Sequence, residues 1–300
     1  MDFKVLSLED RKIIVPYLKS KEQKNCVFSF GNNILWNNAG RMEYTIHKEI
    51  LVYRTIYQDT IRYCVPDFKQ KWGKIIEYIE NDAKKYRKSY RISSLTQEDM
   101  NQILRLDKSY IKFFDRNQSD YLYLVDEIAG LHGIKYEKKR NLINYFKRHY
   151  SWEYEPLQRN NAMECWKFEE KWIQDKIMNS NISSCAMDGL YLEKKAISFA
   201  LDNFEKLNFE GGILRVNGQC VAFTIGEELS DNVFVQHFEK ADCKIKGAYQ
   251  MIFQQFTQNK LLKRYKYVNR EEDMGNENIR FTKLSYCPCE IVHKYSLLKK

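Results

Sequence analysis

Apolar and polar positions alternate in short runs through two stretches of the chain and recur at helical spacing around them. Tyr44-Thr45-Ile46, the run from Ile50 to Ile56 and the run from Ile61 to Val65 are rich in β-branched and aromatic residues. Their spacing suits an antiparallel meander. Phe28-Ser29-Phe30 reads as a further β-type run, with Asn32-Asn33 and Asn37-Asn38 as turns. Trp72, Ile75, Ile76, Ile79 and Ala83 then share one helical face that fades near Tyr86, and Tyr90-Arg91-Ile92 reads as a returning strand. Thr96 and Asp99 stand at capping-box distance and open another helix. Asp10 is a candidate cap for a helix in the first 25 residues, whose course Pro16 disturbs.

The second half repeats this order loosely. Asp120 to Leu124 starts a second unit or joins the two. Leu142, Tyr145, Phe146 and His149 mark an amphipathic helix, Asn161 to Lys176 a second, and Ala196 to Leu201 part of a third, with Cys185 to Tyr191 read as a small-residue turn. Two strands meet at Asn217-Gly218, a dipeptide suited to a type I′ hairpin turn. The strand from Val233 to Phe238, a turn at Gly247, a helix through Gln250 to Phe256, the strand Tyr265 to Val268, the polar run Asn269 to Gly275 and a last helix follow. The pattern predicts two similar α/β (α+β) units meeting near residues 120–150.

Composition changes this picture little. The chain has 300 residues, 44% of them hydrophobic, enough for a real core, and only 12 Gly and 4 Pro. A net charge of +9 favours polyanionic partners such as tRNA, a phosphate-bearing cofactor or anionic headgroups, although it also simply keeps a protein soluble. No run reaches the length of a membrane helix, and eight singly spread cysteines suit reduced thiols in the cytoplasm. Cys287-Pro288-Cys289 lacks zinc-knuckle spacing, so no metal site is expected.

Candidate chemistry gathers in the second half. His237 and Glu239 fall on the same side of a regular strand and together suit proton acceptance from an amine or hydroxyl, with a packed, hydrogen-bonded histidine as the plain alternative. Asn269, Arg270, Glu271, Glu272 and Asp273 end a strand, a usual place for binding groups, though a solvated charged turn has the same composition. Arg280 and Lys283, three apart on a helix, suit a phosphate or carboxylate, or surface ion pairs. Lys135, Lys138, Lys139 and Arg140 crowd a helix N-terminus, where cations oppose the dipole, and a bound polyanion would explain them. A solvated lysine face is the alternative.

Several of these segments resemble a known family. The hairpin, the glycine turn with its helix and the polar strand end resemble the GNAT N-acyltransferase fold. More closely, His237 to Asp242, Gly247-Ala248-Tyr249-Gln250, Asn269 to Gly275, Lys283 to Tyr286 and Lys138-Lys139-Arg140-Asn141 resemble an uncharacterised bacterial family related to the C-terminal catalytic domain of phosphatidylglycerol lysyltransferase. The resemblance spans about residues 120–295. It implies tandem GNAT-like domains with mixed, mostly antiparallel sheets flanked by helices, 1–135 and 136–300, the second carrying the active site, as in lipid aminoacyltransferases and Fem-type peptidyltransferases.

Acetyltransferases offer a (Gln/Arg)-x-x-Gly-x-(Gly/Ala) loop to coenzyme A. Here the register reads Lys244-Ile245-Lys246-Gly247-Ala248-Tyr249, with tyrosine in the last small position. Where those enzymes carry a proton-donating tyrosine on the last helix, this chain has Phe281. Both departures disfavour acyl-coenzyme A and agree with aminoacyl-tRNA as donor and an amine or hydroxyl as acceptor, a lipid headgroup at a membrane surface among them. Lys244, Lys246, Gly247, Ala248, Tyr249, Arg280 and Lys283 would hold the donor, and His237, Glu239, Asn269, Arg270, Glu271 and Asp273 would handle acceptor and proton. A catalytically silent module that binds tRNA or another anion, and a coenzyme A enzyme with an altered loop, remain open alternatives.

Overall fold

The computed structural model describes residues 2–18, 23–37, 41–66, 72–178 and 184–300. Strands β1 (Lys4–Val5), β2 (Met42–His47), β3 (Ile50–Ile56), β4 (Thr60–Cys64), β5 (Ser89–Leu95) and β6 (Ile111–Phe114) belong to a first sheet. A second sheet takes β7 (Asp120–Leu124), β8 (Trp152–Pro156), β9 (Glu210–Val216), β10 (Gln219–Ser230), β11 (Val233–Ala241), β12 (Tyr267–Asn269) and β13 (Glu290–Val292). Strand β14 (Tyr295–Lys299) then returns to the first sheet, between β5 and β6.

Both sheets are seven-stranded and mostly antiparallel. Each has a parallel pair near its middle, β4 with β5 and β11 with β12. This is a tandem GNAT-like fold. The passage from first to second sheet falls between Phe114 and Asp120, ahead of the boundary at residue 135 that the sequence suggests, and β14 carries the C-terminus back across it.

Eleven helices flank the sheets among the described residues: α1 (Arg11–Leu18), α2 (Phe30–Leu35), α3 (Trp72–Ala83), α4 (Gln97–Leu106), α5 (Val125–Gly130), α6 (Glu137–His149), α7 (Ala162–Met178), α8 (Ser184–Asp202), α9 (Phe204–Leu207), α10 (Ala248–Phe256) and α11 (Glu277–Leu284). The amphipathic runs decide most of them. Ile75, Ile79 and Trp72 bury the face of α3 against Ile61, Tyr63 and Ile92 of the first sheet. Thr96 and Asp99 form the expected capping box, with Asp99 N donating to Thr96 Oγ1 at 3.1 Å.

Three local expectations fail. Phe28-Ser29-Phe30 is not a strand: Cys26–Phe28 is a 3₁₀ turn, and Ser29 caps α2 by accepting from Asn32 N at 3.0 Å, which draws Asn32 and Asn33 into the helix. Cys185 to Tyr191 is not a turn but the start of α8, because it holds no proline and Gly189 alone does not break a helix of 19 residues. Strands β13 and β14 were not anticipated, since their pairing depends on partners far back in the chain. Asn38 lies outside the described residues.

A buried polar cluster ties the crossover together. Lys294, just before β14, places Nζ 2.5 Å from Asp120 Oδ1 at the start of β7, against Glu272, and 3.3 Å from Cys26 Sγ. Asp120 Oδ2 accepts from Cys26 N and from Asn269 Nδ2, each at 2.9 Å. Burial opposes the charge on Lys294, but Asp120, Cys26 and Glu272 raise its pKa well above the ordinary lysine value. The carboxylates and thiol lie within 4.8 Å of one another, a donor set suited to a metal ion, and the ammonium supplies the cation at that point. Lys294→Met should therefore leave two buried carboxylates unpaired and cost about 3–5 kcal/mol. Urea denaturation would show it, and adding Asp120→Asn and Glu272→Gln should recover part of the loss.

Candidate active site

The second sheet changes at His237. Strands β10 and β11 pair through Ile225–Phe238, but the next pair is Gly226–Gln236, which leaves His237 as an extra, bulged residue. Pairing of β11 with β12 stops at Val235–Asn269, so the two parallel strands part where the bulge begins. Gly226 makes the close approach feasible: a Cβ there would lie 2.1 Å from Val235 O.

The bulge shifts the alternation of β11 by one residue. Val235 packs with Cys26, Phe238 meets Trp36 of the first unit, and Lys240 pairs with Glu193 of α8. On the opposite face, Phe234 meets Phe256 of α10, and Ala241 packs with Ala248 and Met251. His237 belongs to the first face and Glu239 to the second. The expected His237–Glu239 pair is therefore not formed, because strict alternation does not survive the extra residue.

His237 is clamped. Its Nδ1 lies 2.7 Å from Glu271 Oε1 and its Nε2 3.2 Å from Glu227 Oε1. Glu227 Oε1 also accepts from Gly31 N at 2.7 Å, and Glu271 Oε1 from Asn32 Nδ2 at 3.2 Å, so both carboxylates reach α2 of the first unit. Burial disfavours the imidazolium, but the bonds to Glu227 and Glu271 outweigh it and raise the pKa to about 9. A ring already protonated at neutral pH, with both N–H groups occupied, cannot accept a proton from a substrate. His237 joins the two units.

The other face carries a second buried polar group, built around Glu239. Arg270 Nη2 bonds Glu239 Oε1 at 2.7 Å, and Gln236 Nε2 bonds Glu239 Oε2 at 2.8 Å. The guanidinium lies over Phe253, 4.2 Å from the ring centroid, and 5.6 Å from that of Tyr286. Its side chain is 10% exposed, yet Arg270 Nη1 has no hydrogen-bond partner, and neither has Gln236 Oε1. A buried donor and a buried acceptor thus stand unused on either side of one carboxylate, between aromatic walls.

The rest of the polar loop supports these two faces. Asn269 Oδ1 accepts from Glu271 N at 2.6 Å, and Glu271 takes a left-handed φ of 57° that sends consecutive residues to different partners. Asp273 accepts from Tyr121 at 2.5 Å and from Arg280 Nε and Nη2 at 2.9 and 2.8 Å. Burial would raise the Asp273 pKa, but Arg280 and Tyr121 hold it well below the carboxylate range. Lys283 Nζ donates to the carbonyls of Arg270, Glu271 and Glu272, and burial with Arg270 nearby lowers its pKa to about 8. Arg280 and Lys283 thus share α11 as expected but spend their donors on the loop.

The glycine turn and the basic helix show the same economy. Lys244 pairs with Asp175 at 2.8 Å, and Lys246 lies over Tyr145 at 4.4 Å. Gly247 has φ 91°, and a Cβ would meet Leu142 O at 2.5 Å, so the glycine serves the approach of α6. Ala248 is buried behind it, Tyr249 packs partly buried against the same core, and Phe281 is 76% exposed. Lys135 pairs with Glu127, Lys139 bonds Ser285 Oγ at 2.6 Å over the Tyr286 ring, and Arg140 bonds the Leu131 and Gly133 carbonyls. Lys138 alone of the four is exposed with no partner among the described residues. Sequence reasoning missed Glu227, Asn32, Gly31 and Phe253. A carboxylate inside a buried strand, Glu227, was the available signal.

The family described as phosphatidylglycerol lysyltransferase, C-terminal, matches residues 19–298. The chain belongs to this family. A conserved protein of unknown function from Bacteroides thetaiotaomicron is 32% identical with a TM-score of 0.92, each chain covered in full. The structure of L-PGS from Bacillus licheniformis has a TM-score of 0.67 at 15% identity, covering 97% of this chain and 92% of that one. FemX has a TM-score of 0.65 at 6% identity, covering 99% and 97%. At such identities the last two show the shared fold. An uncharacterised protein of Mycoplasmoides gallisepticum is 25% identical over 197 residues, which span 62% of this chain and 58% of that one.

Two outcomes follow for stability. The folded pKa of His237 lies above the ordinary 6.5, so its contribution is fully present below about pH 6.5 and is lost as pH rises through about 9. Thermal midpoints should fall over that window, and His237→Gln should be less stable at neutral pH and show a shallower fall. Gly247→Val should cost several kcal/mol, about 1–3 from strain at positive φ and about 1–3 from the clash with α6, measured by chemical denaturation.

Proposed function

We propose that this member of the family is an aminoacyltransferase that takes an aminoacyl ester from tRNA and passes it to an amine or hydroxyl acceptor. The observation that carries the reading is the buried, unpartnered Arg270 Nη1 at the parting of β11 and β12. In ester aminolysis or transesterification, the acceptor's nitrogen or oxygen bonds to the carbonyl carbon and the carbonyl oxygen becomes an oxyanion. The bond to the ribose oxygen then breaks, and the acceptor's proton ends on that oxygen. Arg270 Nη1 would donate to the oxyanion in a site with little competing water. Glu239 would hold Arg270 in place, and Gln236 Oε1 would accept from the α-ammonium of the aminoacyl group.

The altered donor loop supports tRNA over coenzyme A. Gly247 is covered by α6, and Tyr249 fills the position a small residue would leave open. A relative named for L-PGS suggests a lipid headgroup as acceptor. No described helix is long and apolar enough to cross a membrane, so this chain would meet such an acceptor at a surface, from the cytoplasm where aminoacyl-tRNA is made.

Turnover of aminoacyl-tRNA against acetyl-coenzyme A, with soluble amines and phosphatidylglycerol vesicles as acceptors, tests the reading. Efficient acetyl transfer would overturn it, and inactivity with both donors would leave an anion-binding module. Arg270→Lys should lower kcat by about 10²–10³ with little change in KM, the loss expected for a missing oxyanion donor. A proportionate rise in KM with kcat unchanged would place Arg270 in ground-state binding instead. Tyr249→Ala should improve coenzyme A binding in calorimetry if crowding at the turn is what excludes it.

A further inference from the structure

Beside the glycine turn a groove of about 1030 Å³ runs between α7, the tip of the β9–β10 hairpin and residues 242–245. It is large enough for a nucleotide-sized ligand. Aromatic residues form much of its floor: Phe168 and Trp172 from α7, and Tyr249 from the first turn of α10. The Trp172 indole is fixed, with Nε1 donating to Ala241 O at 3.2 Å and Lys240 Nζ lying 3.9 Å from the ring centroid.

With its ion pairs set aside, the rim carries three lysines against one carboxylate, Asp242, which accepts from Lys244 N at 2.9 Å. Glu164 is held by Arg215 through two bonds of 2.8 and 2.9 Å, and Asp175 by Lys244. Lys167, Lys171 and Lys176 are exposed along the α7 edge. Aromatic faces beside exposed lysines, one of which (Lys176) lies 5.3 Å from the Trp172 ring centroid, suit a nucleotide, whose base stacks while its phosphates meet lysine. An aliphatic chain would need neither feature. The groove also adjoins the Arg270 group through one residue, because Tyr249 lines it and packs in the core that holds Ala241, two residues beyond Glu239 on the same face of β11.

We propose that this groove receives the single-stranded 3′ terminus of the donor tRNA, the terminal base against Trp172 and Tyr249 and the phosphates along Lys167, Lys171 and Lys176. The assignment rests on the aminoacyl-tRNA reading above. It moves the nucleic-acid contact away from the α6 cluster, most of whose cations are bonded within the chain. The aminoacyl ester would then pass Tyr249 to reach Arg270.

The test uses labelled tRNA acceptor minihelices ending in CCA, or lacking the terminal adenosine, followed by fluorescence anisotropy at two salt concentrations. Lys167→Glu, Lys171→Glu and Lys176→Glu combined should weaken binding at least about tenfold, flatten the salt dependence and erase the preference for the terminal adenosine. A matched triple reversal on the first unit, Lys12→Glu, Lys74→Glu and Lys108→Glu, makes the same change in net charge and should keep that preference. Equal weakening by both triples, or no preference for the terminal adenosine in the unaltered protein, overturns the proposal. So does a groove triple that loses phosphatidylglycerol vesicles while holding RNA, since the occupant would then be a lipid. If the unaltered protein turns over aminoacyl-tRNA and the groove triple does so with unchanged KM, the groove assignment alone fails. If the unaltered protein shows no turnover, the functional reading fails with it.

Discussion

An imidazolium held between two carboxylates at a strand bulge is the interaction on which the rest of the second unit depends. His237 could not stay charged in that setting without Glu227 and Glu271, and those carboxylates could not stay buried without His237. Each carboxylate also takes a hydrogen bond from α2, so the charge cluster fixes how the first unit meets the second sheet. At the same bulge the pairing of β11 with β12 ends, and Arg270 follows the last paired residue, Asn269. The junction and the Arg270–Glu239 pair thus meet at one extra residue.

Much of the architecture was legible because it is local. The Asn217-Gly218 hairpin has both residues at positive φ, 51° and 77°, as a type I′ turn requires, and the Thr96–Asp99 box closes as its spacing implies. The unexpected parts are long-range. β14 finds its place between β5 and β6 only because Leu297 buries completely in the first core, which a short apolar run at the C-terminus does not announce. Lys294 reads as an ordinary surface lysine until the crossover carries it to Asp120 and Glu272.

The candidate site shows the same division. The stretch Asn269 to Asp273 stood out by its density of polar groups, and every one of them is engaged: Asn269 with Asp120, Arg270 with Glu239, Glu271 with His237, Glu272 with Lys294, Asp273 with Arg280. Composition marked out the loop but could not sort roles within it. That sorting depends on the left-handed backbone at Glu271 and on the phase shift at His237, neither of which leaves a mark in a period-two pattern. Cations fared similarly. Cations at one helix start and along the face of another suggested an anion, but Arg140 and Lys283 bond carbonyls and Arg280 holds a carboxylate.

What remains is a question of cost. Four of the five loop residues find partners that satisfy them, whereas Arg270 keeps Nη1 empty in a place closed to water. A buried donor without a partner costs about 1–3 kcal/mol. Nearby chemistry could have removed that cost, since Gln236 Oε1 is also unpartnered in the same hydrogen-bonded network through Glu239. The two orphans belong to side chains that both bond the Glu239 carboxylate, and the Arg270 guanidinium lies against the rings of Phe253 and Tyr286. One donor and one acceptor left open on either side of a single carboxylate would both be satisfied by a group carrying both kinds. An aminoacyl ester, with a carbonyl oxygen to accept and an α-ammonium to donate, has that pair of features one carbon apart.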